Sequence, residues 1–127
     1  MTLVDSDVLI DVRRGLPAAV AWYAGLADRP SVPGFVVMEL IQGTRNAVEL
    51  RRLEVFLLPL PVVWPDEAAC GQARANFARF HLSHSLGLID ALIAATVVGR
   101  AGTLCTFNVK HYRMVPGLAT SQPYARN

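Results

Sequence analysis

A chain of 127 residues, 53% of them hydrophobic and 17% charged, has the size and composition of a single folded domain and is too apolar to be intrinsically disordered. No run of apolar residues reaches the roughly 20 that a membrane-spanning helix needs, and acidic residues from the fifth position onward exclude a signal peptide. The sequence therefore predicts one cytoplasmic domain over residues 1–127 with no membrane association.

The net charge is only +2, but the twelve basic residues are eleven arginines and a single lysine. The planar guanidinium group of arginine suits phosphate groups and base edges, so this bias favours a nucleic-acid partner. A codon preference for arginine explains the same bias equally well.

The first half of the chain predicts short strands alternating with helices. The apolar residues before Asp5 are too few for a helix and predict a buried strand, whereas Pro17 is favoured in a first helical turn. Gly43 and Pro59 are expected to end two further helices. In chain order the prediction is a strand TLV (2–4), helices DVLIDVRRG (7–15) and PAAVAWYAGLA (17–27), a strand SVP (31–33), helices GFVVMELIQGT (34–44) and NAVELRRLEVFLL (46–58), and a strand PVVW (61–64).

The second half continues the alternation. Asp66 and Glu67 suit the first turn of a helix because negative charge there offsets the helix dipole. The predicted elements are a helix EAACGQARANFARFHL (67–82), a polar joint SHSLG (83–87), a buried helix LIDALIAATVVGRAG (88–102), a strand TLCTF (103–107), and a loop over 108–127 with one last short strand near Leu118. Strands that alternate with helices predict an α/β fold with a parallel sheet covered on both faces.

Three carboxylates occupy positions where apolar residues are expected: Asp5, Glu39 and Asp90. None has Lys or Arg within four positions, so a local ion pair does not explain their burial. Ligands of parallel sheets bind beyond the carboxyl ends of the strands, where these three side chains can converge. Converging carboxylates repel one another unless a hard divalent cation such as Mg²⁺ or Mn²⁺ lies between them. Taken singly, each acid could instead cap a helix or bond a backbone amide.

Asp7 and Asp11 lie in the first predicted helix, which begins two residues after Asp5. Either Asp5 or Asp7 could be the N-cap of this helix. Asp11 has Arg14 three residues further on, and this spacing predicts a surface ion pair.

Thr106 and Asn108 follow the last predicted strand and should reach the same sheet edge as Asp5. An Asn side chain can hold a metal-bound water or a phosphate without adding charge. Asn is also a common turn residue after a strand, and that alternative stays open.

Four segments, LVDSDVLID, MELIQG, LIDALIAATV and LCTFNVKHYRMVPGL, together span nearly the whole chain. In order and spacing they resemble the PIN-domain family, most closely the VapC-type toxins of bacterial toxin–antitoxin pairs. The resemblance implies a three-layer α/β/α sandwich with a short parallel sheet. It also implies Mg²⁺- or Mn²⁺-dependent endoribonuclease cleavage of RNA, inhibition by a cognate antitoxin, and a homodimer.

The resemblance also implies roles for individual residues. Asp5, Glu39 and Asp90 match the metal-binding and catalytic acids, and Thr106 matches the Ser or Thr after the last core strand. Asp7 falls where the family often has Asn, so we expect it to orient Asp5 or to bond loop amides. The chain departs from the family at Asn108, where many members have Asp, and the number of metal ions, one or two, stays open.

Basic residues flank the acids in sequence and predict a positively charged rim that holds RNA. They are Arg13, Arg14, Arg45, Lys110 and Arg113, each of which could also be an ordinary solvated side chain. His111 and Tyr112 could stack on a base or simply pack, and His81 and His84 are expected to be structural or on the surface.

The remaining predictions concern cysteines, partners and rival functions. Cys70 and Cys105 fit no metal or disulfide pattern and are expected to be reduced in the core. Phe56, Leu57 and Leu58 exceed what a small domain covers and predict an interface.

Two other functions stay open. One is a non-catalytic module that binds RNA or protein. The other is an Asp-x-Asp phosphohydrolase, which would need a lysine and a later acidic pair beyond other strands, whereas Lys110 is the single lysine of the sequence.

Overall fold

The computed structural model describes residues 1–126; the predicted domain also includes Asn127, which lies outside the described residues. The strands are β1 (Thr2–Val4), β2 (Val32–Pro33), β3 (Val62–Val63), β4 (Thr103–Cys105) and β5 (Ala119–Ser121). The helices are α1 (Ser6–Arg13), α2 (Pro17–Ala24), α3 (Gly34–Gln42), α4 (Ala47–Leu57), α5 (Glu67–His84), α6 (Leu88–Gly99) and α7 (Val109–Tyr112).

All strand pairs are parallel. One ladder has the order β1-β4-β5, with Val4 opposite Cys105 and Cys105 opposite Ser121. A second ladder pairs β2 with β3, and a bridge between Leu3 and Ser31 joins the two ladders. This arrangement confirms the predicted α/β fold with a short parallel sheet. It also brings the carboxyl ends of β1 and β4 side by side, at the edge where the predicted site lies.

The core is built on the central strands and on α6. Leu3, Val4 and Leu104 are fully buried on adjacent strands, and six residues of α6 are buried on several faces of the helix. Helix α6 packs against α3 and α5 as well as against the sheet. The prediction of a buried helix here is confirmed, because an element that is apolar on nearly all sides must be covered on nearly all sides.

A close approach fixes the start of α3, the helix that carries Glu39. Gly34 begins this helix, and a Cβ atom there would overlap the ring of Trp64, which follows β3. Trp64 in turn contacts Phe35 edge to face, with ring centroids 5.7 Å apart. The glycine therefore lets the N-terminus of α3 lie directly against the neighbouring strand.

Several local predictions were wrong. Helix α5 continues to His84, inside the predicted joint, and ends where Ser85 takes a left-handed conformation with φ 57°. The predicted C-terminal loop contains α7, although its last strand is present as β5. Cys70 is exposed rather than in the core, whereas Cys105 is buried and both thiols are free. Leu57 belongs to the core, and only its neighbour Leu58 is strongly exposed.

No helix among residues 1–126 is both long and apolar enough to cross a membrane.

Candidate active site

Asp5 and Thr106 join the ends of the two central strands. The Thr106 hydroxyl donates a hydrogen bond to Asp5 Oδ2 at 2.8 Å, across a sequence separation of 101 residues. Asp5 Oδ1 accepts the Ser6 N–H at 2.8 Å, so Asp5 is also the N-cap of α1. Asp5 is 1% exposed, and burial raises its pKa despite these donors. Asp5 therefore caps α1 and belongs to the acidic cluster at the same time.

Glu39 reaches the cluster from α3. The Ser6 hydroxyl donates to Glu39 Oε1 at 3.4 Å, which links the start of α1 to this side chain. Burial, followed by repulsion from the Asp5 and Asp90 carboxylates, raises the pKa of Glu39 to about 7. The three acids thus lie close enough to affect one another's ionisation.

Asp90 enters the cluster from the first turn of α6. The Tyr112 hydroxyl donates to Asp90 Oδ1 at 3.3 Å. Burial raises the pKa of Asp90, and the nearby His111 side chain opposes this shift. Tyr112 is 2% exposed, so it is a buried contact of the acids and not a surface for base stacking.

Sequence reasoning missed the roles of Tyr112 and Ser6. No motif identified the tyrosine, because only the turn of α7 directs its hydroxyl back to the acids. Ser6 is adjacent to Asp5 and carried a weak signal: a hydroxyl residue directly between two acids at the end of a strand.

Asp7 supports the loop after β4. Its Oδ2 accepts the Phe107 N–H at 2.8 Å, and its Oδ1 accepts the Val8 N–H at 2.8 Å. Burial and repulsion from Asp5 raise the pKa of Asp7. Asp7 therefore bonds a loop amide, which is one of the two arrangements that the sequence suggested.

Asn108 lies at the predicted edge. Its N–H donates to the Thr106 hydroxyl oxygen at 3.0 Å, and it precedes α7 as the N-cap residue. Its backbone thereby fixes the hydroxyl that binds Asp5, while the residue as a whole is exposed.

The donor chemistry of the cluster fits a hydrated Mg²⁺ ion. Within residues 1–126, no three His, Cys, Asp or Glu side chains are grouped tightly enough to hold a metal ion by themselves. The two ion pairs found in that part of the chain involve Asp11 and Glu49, and neither involves Asp5, Glu39 or Asp90. Mg²⁺ keeps several waters and takes only one or two carboxylates. Three direct carboxylate ligands are therefore not preformed, and a divalent cation here would be held by one or two of these carboxylates together with water.

A basic groove adjoins the cluster. A cavity of about 690 Å³ is lined by Ser6 and Glu39 at one side and by four arginines: Arg13, Arg14, Arg45 and Arg52. Arg45 forms an exposed ion pair with Glu49, which also lines the groove, at 2.7 Å. Three of the predicted basic residues thus share one surface with Glu39, and Arg52 joins them unpredicted. Lys110 and Arg113 are exposed on and beside α7 and do not line the groove.

The prediction for Asp11 was wrong. Asp11 is only 9% exposed, and its partners come from the C-terminal residues rather than from Arg14. Arg126 Nε donates to Asp11 Oδ2 at 2.9 Å, and the Tyr124 hydroxyl donates to the same oxygen at 2.8 Å. These donors lower the pKa of Asp11, whose long-range partners the helical spacing could not reveal.

Comparison with known proteins gives a consistent result. The model of the PIN domain family matches residues 2–115. Ribonuclease VapC19 of Mycobacterium tuberculosis is 36% identical over 126 residues, covering 93% of this chain and 97% of the relative. Ribonuclease VapC10 of the same organism is 39% identical over 117 residues, covering 90% and 87%. A toxin–antitoxin complex from Klebsiella pneumoniae contains a chain of the same fold, with a TM-score of 0.78, 22% identity and coverage of 99% and 100%.

Proposed function

This chain belongs to the PIN domain family, within its VapC group, and from that premise we propose that it is a metal-dependent endoribonuclease, the toxin of a type II toxin–antitoxin pair. Two relatives that match over most of their length are named ribonucleases. The observation that carries the proposal is the cluster of Asp5, Glu39 and Asp90, which three separate elements bring together without a paired arginine or lysine among residues 1–126.

Asp5 and Asp90 are the proposed metal-holding residues, with Glu39 beside them. Mg²⁺ or Mn²⁺ bound there would supply a Lewis acid for a phosphate oxygen and make a nearby water a stronger nucleophile. Thr106 and Ser6 fix Asp5 in one orientation, and Tyr112 fixes Asp90. The hydrogen-bonded donors therefore hold the acids in place before substrate arrives.

Glu39 is the proposed general base. In the metal-free chain, burial and repulsion from Asp5 and Asp90 raise the pKa of Glu39 to about 7. A bound cation would offset that repulsion, so the proposed role rests on the position of Glu39 beside the other two acids. Glu39 also lines the arginine groove, so it stands between the buried acids and the surface that would hold the substrate. It is placed to take a proton from water at the phosphate.

The arginine groove is the proposed RNA-binding surface. Guanidinium groups bind phosphate oxygens in a bidentate manner, and a groove lined by four arginines suits an RNA backbone. Arg13, Arg14 and Arg45 retain their predicted role in this proposal, and Arg52 is added. Lys110 and Arg113 remain proposed contacts for the other side of the bound strand.

Protein partners form the last part of the proposal. The solved toxin–antitoxin complex of the same fold supports a cognate antitoxin, and the resemblance to the family supports a homodimer. Exposed leucines are consistent with surfaces that other chains cover, since Leu58 is 83% exposed and Leu82 is 91% exposed.

The test is RNA cleavage by the purified chain with and without metal. We expect cleavage with Mg²⁺ or Mn²⁺ and none with EDTA. Asp5→Asn and Asp90→Asn should each remove most of the activity, while Asp28→Asn, the same chemical change at an exposed acid away from the cluster, should not. Circular dichroism should show that all three variants are folded. Cleavage by Asp5→Asn and Asp90→Asn at the parent's rate would rule out the assigned centre.

A further inference from the structure

The C-terminal residues form a clasp on α1, defined here as Tyr124 and Arg126 with their acceptor Asp11. Arg126 donates from Nε to Asp11 Oδ2 at 2.9 Å and from Nη2 to Oδ1 at 3.2 Å, and the Tyr124 hydroxyl donates to Oδ2 at 2.8 Å. The Asp11 carboxylate thus accepts three hydrogen bonds, two of them in the forked geometry that arginine makes with a carboxylate. Burial of Asp11 requires these donors, because an unpaired buried carboxylate is strongly unfavourable.

The clasp encloses the side chain of Phe107. The Arg126 guanidinium carbon lies 4.4 Å from the centre of the Phe107 ring, and the Tyr124 ring centre lies 5.0 Å from it. Tyr124 also contacts Trp22 of α2, with ring centres 6.0 Å apart. Tyr124 and Arg126 therefore both contact the Phe107 ring, and both donate hydrogen bonds to Asp11 of α1.

Phe107 connects the clasp to the acidic cluster. Its N–H donates to Asp7 Oδ2 at 2.8 Å, and the residue before it, Thr106, donates its hydroxyl to Asp5. Asp7 and Asp11 are one helical turn apart and lie on the same face of α1. One face of α1 thus binds the loop after β4 at Asp7 and the C-terminal residues at Asp11, with the Phe107 ring between them.

We propose that Tyr124 and Arg126 are positioning residues of the active site, which act through Phe107 to keep the loop amide on Asp7 and the Thr106 hydroxyl on Asp5. Without these two residues, the Phe107 ring loses its contacts with the Arg126 guanidinium and the Tyr124 ring. The Asp11 carboxylate also loses its three hydrogen bonds. The loop after β4 is then held to the start of α1 only by the hydrogen bonds to Asp7 and Asp5, with no support from the C-terminal residues. Asp5 consequently loses the fixed orientation that metal binding and cleavage need.

The role assigned to these residues in cleavage rests on the proposed function, so the experiment also measures the loop without RNA. Arg126→Ala removes the fork and the ring contact, Arg126→Lys keeps the charge, and Tyr124→Phe removes a single hydroxyl. Arg74→Ala is the matched control, because Arg74 is an exposed arginine on α5 outside the groove. Amide hydrogen exchange of Phe107, Mn²⁺ affinity by calorimetry, and kcat and KM for RNA are measured for each variant.

We expect Arg126→Ala to speed exchange of the Phe107 amide by about tenfold, because a hydrogen bond to a charged group is lost from the clasp. In the same variant, Mn²⁺ affinity and kcat should fall while KM changes little. Arg126→Lys should recover part of both quantities, and Tyr124→Phe should lose less than Arg126→Ala. A lower melting temperature with unchanged Phe107 exchange and unchanged Mn²⁺ affinity would overturn the proposal. If no variant and no parent protein cleaves RNA, the proposed function fails, but exchange and Mn²⁺ binding still decide whether the clasp positions the loop.

Discussion

The hydroxyl of Tyr112 lies 3.3 Å from Asp90 Oδ1, and it joins α7 to the first turn of α6 at the acidic cluster. Tyr112 is 2% exposed, so a buried phenol lies beside this acid. Burial, followed by repulsion from the Asp5, Asp90 and Glu39 carboxylates, raises the pKa of this phenol far above its usual range. These surroundings favour the neutral phenol, which donates its hydrogen bond to Asp90.

Tyr112→Phe removes only this hydroxyl and should leave the core packed. We expect Mn²⁺ affinity and kcat each to fall by about tenfold or more, because loss of one hydrogen bond to a charged group costs about 1.5–3 kcal/mol. Calorimetry with Mn²⁺ and RNA cleavage assays measure the two effects. Tyr23→Phe, at a tyrosine outside the cluster, is the matched control. Parent-like Mn²⁺ affinity in Tyr112→Phe would show that the hydroxyl does not organise the acids.

Thr106 is the second donor whose removal should be measurable. Thr106→Val keeps the shape of the side chain but leaves Asp5 Oδ2 without its 2.8 Å partner. We expect the free energy of unfolding to fall by about 1–3 kcal/mol and most cleavage to be lost, since a buried acceptor is left unsatisfied. Thr106→Ser keeps the hydroxyl and should retain most stability and activity. If Thr106→Ser loses as much stability and activity as Thr106→Val, the hydroxyl donated to Asp5 is not the cause of the loss.

Glu39 should make the metal-free protein less stable as pH rises. Its pKa in the folded state is about 7, above the usual 4.5, so the folded chain binds the proton more tightly than the unfolded chain. The associated stability is fully present below about pH 4.5 and is lost as pH rises through 7. We expect this loss to be about 1–2 kcal/mol, because the side chain keeps some contact with water.

Chemical unfolding of the metal-free protein between pH 5 and pH 8 measures this dependence. Glu39→Gln should flatten the curve, and Mg²⁺ should restore stability to the parent protein at pH 8 because a bound cation stabilises the ionised acids. Glu54→Gln, at an exposed glutamate of α4, provides the control. A curve that is equally steep in Glu39→Gln would show that other groups cause the pH dependence.

Arg52 tests whether RNA follows the groove. Arg52→Ala should weaken RNA binding and reduce the slope of log affinity against log salt by about one, because one phosphate contact is lost. Fluorescence anisotropy with a labelled RNA and a salt titration measure both quantities in the catalytically impaired Asp5→Asn background. Arg74→Ala in the same background should leave the slope unchanged. If the two variants behave alike, the groove does not bind the RNA backbone.

Much of the fold followed from local sequence. The short apolar segment before Asp5, the helix-favouring Pro17 and the nearly all-apolar stretch of α6 each have one low-energy arrangement, and the structure has those elements. The acids at Asp5, Glu39 and Asp90 were also identifiable, because a carboxylate in an apolar segment without a neighbouring cation must find a partner elsewhere. In contrast, the short α7 carries little local signal, since four residues form a helix only when tertiary contacts such as the buried Tyr112 hold them.

The sequence by itself therefore determined the alternation of strands and helices and the set of buried acids. Both follow from local patterns: apolar runs mark the buried elements, and a carboxylate inside such a run, with no cation nearby in sequence, marks a site residue. Tertiary structure alone decided the partners. Besides the adjacent amides that bind Asp5 and Asp7, each of Asp5, Asp7 and Asp11 has a donor 100 or more positions away, brought close by parallel pairing of β1, β4 and β5. Helical spacing predicted Arg14 as the partner of Asp11, but the partner is Arg126. The free energy of a buried carboxylate depends on the donors that surround it in space and not on the nearest charge along the chain.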